Sequence, residues 1–371
     1  MKLQRTVVAF AGCGALAFGV SACGSDNSSD SASSGSDTTA AAQKGGTLNG
    51  AGATFPQPIY SEWAARFKQA QGTTINYQGI GSGGGIAQFT AGTVDFGATD
   101  AAMKDEEIAA AKTKGDPVHI PTVLGAVTVS YNVNGVDKGL KLDGATIADM
   151  FLGTVKKWDD AAIKKLNSGA SLPGTKVTVC HRSDESGTTK NFTQFLAAYS
   201  PAWDKGPGVD KSVKWPTGTG AKGNDGVAAC VKQTDGAVGY VEQAFALQNN
   251  FSTASVKNKA GSFVEPTLEA TSAAGAAANP PEDLRFSTID GPGADTYPIA
   301  AVTFLLVYQD VCKAGLDAEK AGLLKDWLNN ALGDGQAVAK ELEYAKLTDS
   351  IKSLAQAKVD GLQCNGTAIE G

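Results

Sequence analysis

The sequence has very little histidine and no excess of basic residues. Two histidines occur among 371 residues, and 32 lysines and arginines against 38 acidic residues give a formal net charge of -6. Such a small number of histidines disfavours catalysis by paired histidines and metal sites rich in histidine. No Cys/His spacing typical of zinc sites occurs either. Without a basic patch, we expect no nucleic-acid partner. Because a negative protein gains no long-range attraction for anions, any anion site depends on local dipoles and a few placed donors.

The N-terminal segment contains an apolar run that is too short to serve as a permanent membrane span. Lys2 and Arg5 precede an apolar stretch over residues 6–20, and small residues then lead to Cys23. This order is typical of a cleaved signal peptide, and the residues before the cysteine resemble a bacterial lipobox. We predict a signal peptide over residues 1–22 and a diacylated Cys23, with plain secretion as the alternative.

A low-complexity run follows the predicted lipidation site. It is rich in Ser, Asp, Gly and Ala, and it shows no apolar periodicity. Such a run cannot bury a core, so residues 23–46 are predicted to form a flexible linker to the membrane. The rest of the chain is long enough for two α/β lobes.

The body begins with alternating strand and helix patterns. The predicted strands are 47–50, 75–78 and 94–98, and the predicted helices between them are 56–72 and 86–92. Short loops between strands and helices are typical of a parallel α/β sheet. Further segments predicted as helices or strand are 189–199, 237–241, 318–331 and 348–358.

Two long apolar runs suggest where the chain crosses between lobes. Residues 119–133 and 297–308 read as buried strands that are too short and too polar at their ends for membrane spans. Two crossings make one lobe discontinuous. We therefore predict a first lobe from residues 47–122 and 298–371, and a second lobe from residues 123–297.

The body contains an even number of cysteines, which in an exported chain indicates disulfides. Three pairings are possible. Proximity along the chain and the lobe division favour Cys180–Cys230 and Cys312–Cys364, and four buried free thiols are the alternative.

Three segments place glycine and a hydroxyl residue at the start of a helix: 52–56, 81–85 and 182–189. A helix start offers unpaired N–H groups and a partial positive charge, and glycine allows close approach to the backbone. Each segment alone is most often only a helix cap. Three of them, one with an arginine, together favour an anion site.

The sequence gives weaker support to an enzymatic function than to binding. Ser82 and Ser186 lie at helix starts, and His181 is close to Ser186 in sequence. However, strand alternation points His181 away from Arg182, and no nucleophile-elbow motif with a downstream acid and histidine is present. His119 lies in an apolar run, where a core role is expected.

The motifs of the body resemble those of one protein family. GAGATFPQPIY, YQGIGSGGG, VDFGATDA, KKWDD, SDESGTT, KGNDG and GAVGYVE occur in this order from about Leu48 onward. Together they resemble the phosphate-binding proteins of bacterial phosphate-specific ABC transporters. The resemblance implies an α/β, two-lobed periplasmic-binding-protein fold of type II, with one phosphate in the cleft between lobes joined by two crossover segments.

The resemblance also implies the ligand residues, matched position by position. The implied phosphate-binding residues are Thr54, Phe55, Ser82, Asp100, Arg182, Ser186, Gly187 and Thr188. Asp184 matches the acid that holds the arginine. This chain has Glu185 where the family often has glycine, which adds a carboxylate beside the site.

Asp100 explains how such a site distinguishes phosphate from sulfate. Hydrogen phosphate carries an O–H that can donate to the carboxylate, whereas sulfate carries none at neutral pH. Sulfate therefore leaves a buried acceptor unpaired and facing like charge. Arg182 supplies paired donors suited to tetrahedral oxyanions.

The implied function is capture of phosphate outside the cytoplasm, without enzymatic activity, metal or cofactor. The implied partner is a membrane permease, with its ATPase acting indirectly, and we expect a monomer held by lipid at the outer face of the cell membrane. A secreted phosphatase-like enzyme using the same cleft, and a binder of another oxyanion, remain the alternatives.

Overall fold

The computed structural model describes residues 45–370, all within one compact unit. The predicted signal peptide over 1–22, Cys23 and the linker up to residue 44 lie outside the described residues. Within the described range, none of the helices combines the length and apolar character that a membrane span needs.

Strands alternate with helices along most of the described chain. The strands are β1 (Thr47–Gly52), β2 (Thr74–Gly79), β3 (Phe96–Thr99), β4 (Pro117–Asn132), β5 (Lys141–Leu142), β6 (Thr178–Arg182), β7 (Thr219–Ala221), β8 (Ala237–Glu242), β9 (Ser252–Thr253), β10 (Ser255–Lys257), β11 (Phe263–Val264), β12 (Ala300–Tyr308), β13 (Gln363–Cys364) and β14 (Thr367–Ala368). The helices are α1 (Gln57–Gln71), α2 (Ser82–Ala91), α3 (Asp105–Ala111), α4 (Gly144–Leu152), α5 (Ala161–Leu166), α6 (Gly187–Tyr199), α7 (Pro201–Lys205), α8 (Gly223–Gln233), α9 (Gln243–Gln248), α10 (Leu268–Ala276), α11 (Ala318–Leu332), α12 (Asp334–Ala339) and α13 (Asp349–Asp360), with a 3₁₀ turn at Lys340–Leu342.

One continuous sheet joins the two parts of the molecule. Its strand order is β2-β1-β3-β12-β4-β8-β6-β7, and β9 also pairs with β4. The strands β1, β2 and β3 are parallel, as are β6, β7 and β8, whereas β4 and β12 run antiparallel to their neighbours. The predicted parallel α/β pattern is therefore confirmed, with two antiparallel strands at its centre.

Strand β4 passes from one part of the sheet to the other. Its first part, Pro117–Ala126, pairs with β12, and its second part, Val127–Asn132, pairs with β8. We call the β12 side, with β1, β2 and β3, the first lobe and the β8 side, with β6 and β7, the second lobe. Both apolar runs are buried strands, as predicted; the predicted lobe boundaries remain predictions.

Helix α1 shows why the first lobe folds as its periodicity indicates. Tyr60, Trp63 and Phe67 share one buried face. Trp327 of α11 packs edge-on against Trp63, with ring centroids 6.2 Å apart, so this C-terminal helix covers the first lobe. Gly72 ends α1 with φ 75°, a conformation in which a β-carbon would be strained.

Helix α2 begins earlier than predicted. The glycines of residues 81–85 suggested a loop before a helix over 86–92, but the helix starts at Ser82. Close packing explains the glycines: a β-carbon on Gly85 would lie 2.4 Å from the Cα of Gly52. Helix α2 can therefore approach β1 only without side chains at this point.

Two disulfides are present in the pairing that the sequence favoured. Cys180 of β6 is bonded to Cys230 of α8, and Cys312 to Cys364 of β13. Each bond closes a separate part of the chain, and neither one joins the two lobes.

Candidate anion-binding site

The ends of three strands and the starts of three helices bring the eight predicted ligand residues together. Thr54 and Phe55 lie between β1 and α1, Ser82 begins α2, and Asp100 follows β3. From the second lobe come Arg182 at the end of β6 and residues 186–188 at the start of α6. All eight residues are buried. The site therefore lies between the lobes, at the carboxyl ends of parallel strands.

Ser82 connects the two lobes at the centre of the site. Its Oγ accepts hydrogen bonds from the Asp100 N–H at 3.2 Å and from the Gly187 N–H at 3.0 Å. The Ser82 hydroxyl hydrogen is therefore available to donate, and the Asp100 Oδ2 lies 3.5 Å away.

Asp100 is a buried carboxyl group with an unusual titration. Its Oδ1 accepts a hydrogen bond from the Thr303 hydroxyl at 2.9 Å. Burial raises the pKa of Asp100 to about 7, although the Thr303 hydrogen bond and the charge of Arg182 oppose this shift. Near neutral pH the group can therefore either accept or donate a hydrogen bond.

Arg182 is held in place by Asp184. Its Nε and Nη2 donate to the two carboxylate oxygens at 2.8 and 2.5 Å, and its side chain is only 1% exposed. Burial alone would raise the pKa of Asp184, but the hydrogen bonds and charge of Arg182 hold it below its usual value. This pairing uses two of the five N–H donors, and Nη1 also donates to the Thr188 Oγ1 at 3.5 Å. One hydrogen on Nη1 and one on Nη2 therefore remain for an anion.

The lobes are closed on one another around the site. Asn191 of α6 donates from Nδ2 to the Asp100 carbonyl at 2.6 Å, and Gly83 N–H donates to the Glu185 carbonyl at 3.0 Å. A β-carbon on Gly187 would lie 2.6 Å from the Ser82 Oγ and 2.8 Å from the Asp100 nitrogen. Glycine at position 187 is therefore required for this degree of closure.

Glu185, the departure from the family pattern, contacts the first lobe through its carbonyl, which accepts the Gly83 N–H. Its side chain is exposed and lies over the first turn of α2, where a β-carbon on Gly83 would meet its Oε2 at 1.9 Å. A carboxylate at a helix N-terminus is favourably placed.

Sequence reasoning missed Asn224 as a functional residue. Its backbone N–H and its Nδ2 donate to the Thr54 Oγ1 at 3.1 and 2.9 Å. Gly223, beside it, donates its N–H to Asp184 at 3.1 Å. The only available signal was the KGNDG block at a helix start, which lacks the Ser or Thr used to select the other segments.

Glu242 and Tyr344 were also missed and lie beneath the site. The Tyr344 hydroxyl contacts the Phe55 carbonyl at 2.7 Å and the Glu242 Oε2 at 2.9 Å. Glu242 is fully buried, and burial raises its pKa well above the usual value. This pair supports the loop whose Phe55 N–H is a predicted anion donor.

Neither histidine is placed for catalysis. His181 stacks on Trp215 with ring centroids 4.6 Å apart, and its Nδ1 lies 2.9 Å from the Arg182 carbonyl. His119 accepts from the Met103 N–H at 3.0 Å, and burial lowers its pKa to about 4. Over residues 45–370, no group of three or more His, Cys, Asp or Glu side chains could hold a metal ion.

Comparison with known proteins gives consistent matches along the chain. A model of the PBP superfamily domain matches residues 37–334. The phosphate-binding protein PstS of Pasteurella multocida is 42% identical over 318 residues, covering 84% of this chain and 89% of that protein. Phosphate-binding protein PstS 3 of Mycobacterium tuberculosis is 35% identical over 387 residues, covering 98% and 100%.

Solved structures show the same fold at lower identity. A DING protein has a TM-score of 0.68 at 21% identity, covering 86% of this chain and 99% of that one. A phosphate-binding protein from Stenotrophomonas maltophilia has a TM-score of 0.66 at 20% identity, covering 84% and 93%. The chain thus has the two-lobed α/β fold of periplasmic binding proteins, and it belongs to the PstS family of phosphate-binding proteins within the PBP superfamily.

Proposed function

We propose that the protein captures inorganic phosphate outside the cytoplasm and delivers it to the permease of an ABC importer. The observation that carries this proposal is the buried Asp100 carboxyl beside hydroxyl, backbone and guanidinium donors from both lobes. The PstS relatives, named as phosphate-binding proteins, support the same ligand. Because these relatives are named as binding proteins, the proposal includes no enzymatic activity.

The proposed ligand shell works through local donors, because the charges of Arg182 and Asp184 largely cancel. Helix α6 begins at the site, and Ser186 caps it by accepting from the Thr189 N–H at 3.1 Å. The Ser186 hydroxyl hydrogen is therefore free to donate to an anion, alongside the Thr188 N–H of the first helical turn. The Gly187 N–H, the other proposed backbone donor, contacts the Ser82 hydroxyl oxygen in this closed arrangement. Neutral donors of this kind bind an anion in a protein of net negative charge.

Phosphate enters this site only when the lobes separate. All eight proposed ligand residues are buried in the closed arrangement. The proposed motion is a rotation of the lobes about β4 and β12, with bound phosphate stabilising the closed form through contacts to both lobes. Identical X-ray scattering profiles with and without phosphate would contradict this motion.

Calorimetric titration tests the proposed function. Protein stripped of bound ligand is titrated with phosphate and then with sulfate at pH 8. We expect tight phosphate binding and negligible sulfate binding, because only phosphate carries a hydrogen for ionised Asp100. Equal binding of both anions would leave only a general oxyanion binder, and binding of neither would remove the proposal.

The proposed cellular context follows from the N-terminal sequence. A lipid on Cys23 would hold the protein at the outer face of the membrane, with residues 23–46 as the flexible linker to this anchor, and the protein would act as a monomer without a cofactor. Metabolic labelling with a fatty acid, compared between the unaltered protein and Cys23→Ser, tests the anchor. Equal labelling of both would exclude Cys23 as the lipidated residue.

Two ion pairs cross between the lobes at the edge of the site. Lys104 lies 2.8 Å from Asp210, and Glu107 of α3 lies 2.6 Å from Lys211. The Lys211 side chain is only 5% exposed, and its carbonyl accepts the Ser186 N–H at 2.9 Å. Closure of the lobes therefore brings the Lys211 ammonium group against the Glu107 carboxylate.

Glu107→Gln is expected to weaken phosphate binding by about 2- to 5-fold at low salt. The substitution keeps an oxygen for the Lys104 N–H, which Glu107 accepts at 2.8 Å, but it removes the charge facing Lys211. The effect should shrink at high ionic strength, because salt screens the partly exposed charges.

The measurement is phosphate titration at two salt concentrations, with Glu106→Gln as the matched control. Glu106 is the exposed neighbour on the same helix. An equal change in both variants would contradict a role for the interlobe ion pairs.

A further inference from the structure

We propose that Asn224 is a positioning residue that turns the Thr54 hydroxyl into an obligatory hydrogen-bond donor for the anion. This inference rests on the proposed phosphate function and adds a residue to it. Asn224 need not touch the anion, because it acts on the hydroxyl of Thr54 across the gap between the lobes.

The Thr54 oxygen receives two hydrogen bonds from the same residue. The Asn224 backbone N–H donates at 3.1 Å and its Nδ2 donates at 2.9 Å. A hydroxyl oxygen has two lone pairs and one hydrogen. With both lone pairs occupied, Thr54 can only donate, and its 3% exposure leaves little access to solvent. Its hydrogen is therefore directed to the anion.

The orientation of the Asn224 amide is fixed by a second contact. Its Oδ1 accepts the Glu242 N–H at 3.0 Å, so the NH₂ group must face Thr54. A rotated amide would place N–H against N–H at Glu242, and its oxygen would take the Thr54 hydrogen. Asn224 is completely buried, so water cannot compensate for such a mismatch.

The position of Asn224 in α8 explains its backbone donor. It is the second residue of the helix, where the N–H has no partner within the helix. Helix α8 therefore directs a backbone N–H and a side-chain N–H at one oxygen. The N-terminus of α8 is a further helix start at the site, but it donates to Thr54 and not to the anion.

The contact exists only when the lobes are closed. Thr54 follows β1 in the first lobe, whereas Asn224 lies beside β6 and β8 in the second. When the lobes separate, the Thr54 hydroxyl loses both donors and can rotate. Closure therefore both surrounds the anion and sets the direction of one of its donors.

This arrangement also contributes to the choice of anion. The hydroxyls of Thr54, Ser82 and Ser186 each accept hydrogen bonds from N–H groups, so each presents its hydrogen for donation. Asp100 is then the carboxyl group able to accept the hydrogen of a protonated oxyanion. Fixing Thr54 as a donor removes an alternative acceptor from the same site.

A double-mutant cycle on phosphate affinity tests the inference. Asn224→Ala is expected to weaken phosphate binding by about 10- to 30-fold, and Thr54→Val by a similar factor, since each removes or misdirects one buried donor. If Asn224 acts through the Thr54 hydroxyl, Asn224→Ala should cost less than about 3-fold in the Thr54→Val background. In a Thr54→Ser background, which keeps the hydroxyl, the full effect should remain.

Asn191→Ala is the matched control. Asn191 is also a buried asparagine that crosses between the lobes, but it donates to the Asp100 carbonyl and not to Thr54. Its effect on phosphate affinity should be the same with threonine or valine at position 54. The inference is supported if the effect of Asn224→Ala depends on the residue at position 54 and the effect of Asn191→Ala does not.

A second variant distinguishes the proposed effect from a loss of folding. Asn224→Asp is isosteric and keeps an oxygen for the Glu242 N–H, but it replaces the Nδ2 donor by an acceptor for the Thr54 hydrogen. We expect a phosphate affinity at least about 100-fold weaker, with a smaller loss in the Thr54→Val background. Additive effects in a phosphate-binding protein would overturn the inference while leaving the function intact. No phosphate binding by the unaltered protein would overturn both.

Discussion

Asp100→Asn is expected to bind sulfate roughly 100-fold more tightly than the unaltered protein at pH 8. In the unaltered protein the ionised carboxylate faces sulfate with like charge and without a hydrogen to accept. The asparagine amide can donate from Nδ2 to the anion while its oxygen takes the Thr303 hydroxyl, which Asp100 now accepts at 2.9 Å. Phosphate binding should weaken, because its O–H loses the carboxylate acceptor.

The same residue predicts a pH dependence for sulfate. Burial raises the pKa of Asp100 to about 7, so the protonated form prevails below this pH and the ionised form above it. A protonated carboxyl can donate to sulfate. Sulfate affinity of the unaltered protein should therefore rise as the pH falls from 8 to 5, whereas that of Asp100→Asn should stay flat.

Titrations with both anions at several pH values measure these effects. Asp95→Asn is the control, because Asp95 precedes the same strand and pairs with Lys320 away from the site. If Asp100→Asn rejects sulfate as strongly as the unaltered protein does, Asp100 does not face the anion.

Arg182→Lys is expected to weaken phosphate binding by about 100- to 1,000-fold. The arginine donates to Asp184 from Nε and Nη2 and to Thr188 from Nη1, and it still has one hydrogen on each of Nη1 and Nη2 for an anion. Lysine keeps the charge but cannot form both interactions from a fixed planar group. Loss of a buried, hydrogen-bonded charge contact typically costs about 2–5 kcal/mol, and about 3–4 kcal/mol corresponds to the stated range.

Phosphate calorimetry, together with a thermal unfolding curve for each protein, measures this effect. Arg66→Lys on α1 is the control, since Arg66 forms exposed ion pairs with Glu62 and Glu341. If the Arg182→Lys variant binds phosphate as well as the Arg66→Lys control does, Arg182 does not belong to the ligand set.

Much of the fold could be predicted because its signals are local. The apolar spacing of Tyr60, Trp63 and Phe67 indicates a buried helical face, and Gly72 marks its end. The two apolar runs could be recognised as buried strands for the same reason. The small sheet of β5, β10 and β11 was not predicted, because strands of two or three residues show no periodicity.

The site could be predicted less completely, because part of it depends on contacts between distant segments. Ser82 and Ser186 stand at helix starts, where sequence alone suggests a donor. Asn224 lies 170 residues from Thr54, and its role depends on lobe closure and on the direction of its amide. The early start of α2 also depends on a distant contact. Glycines on their own disfavour a helix, and only the close approach of Gly52 explains why they occur in this one.

The bond between Cys180 and Cys230 has a consequence for how the site is assembled. It ties β6, which carries Arg182, to α8, which carries Asn224. The two residues therefore lie on covalently linked elements of the second lobe, and oxidation of the thiols restricts how far these elements can move apart. Less conformational freedom is then lost when the anion arrives, which favours tight binding. For this protein, an oxidising compartment would be a source of preorganisation as well as of stability.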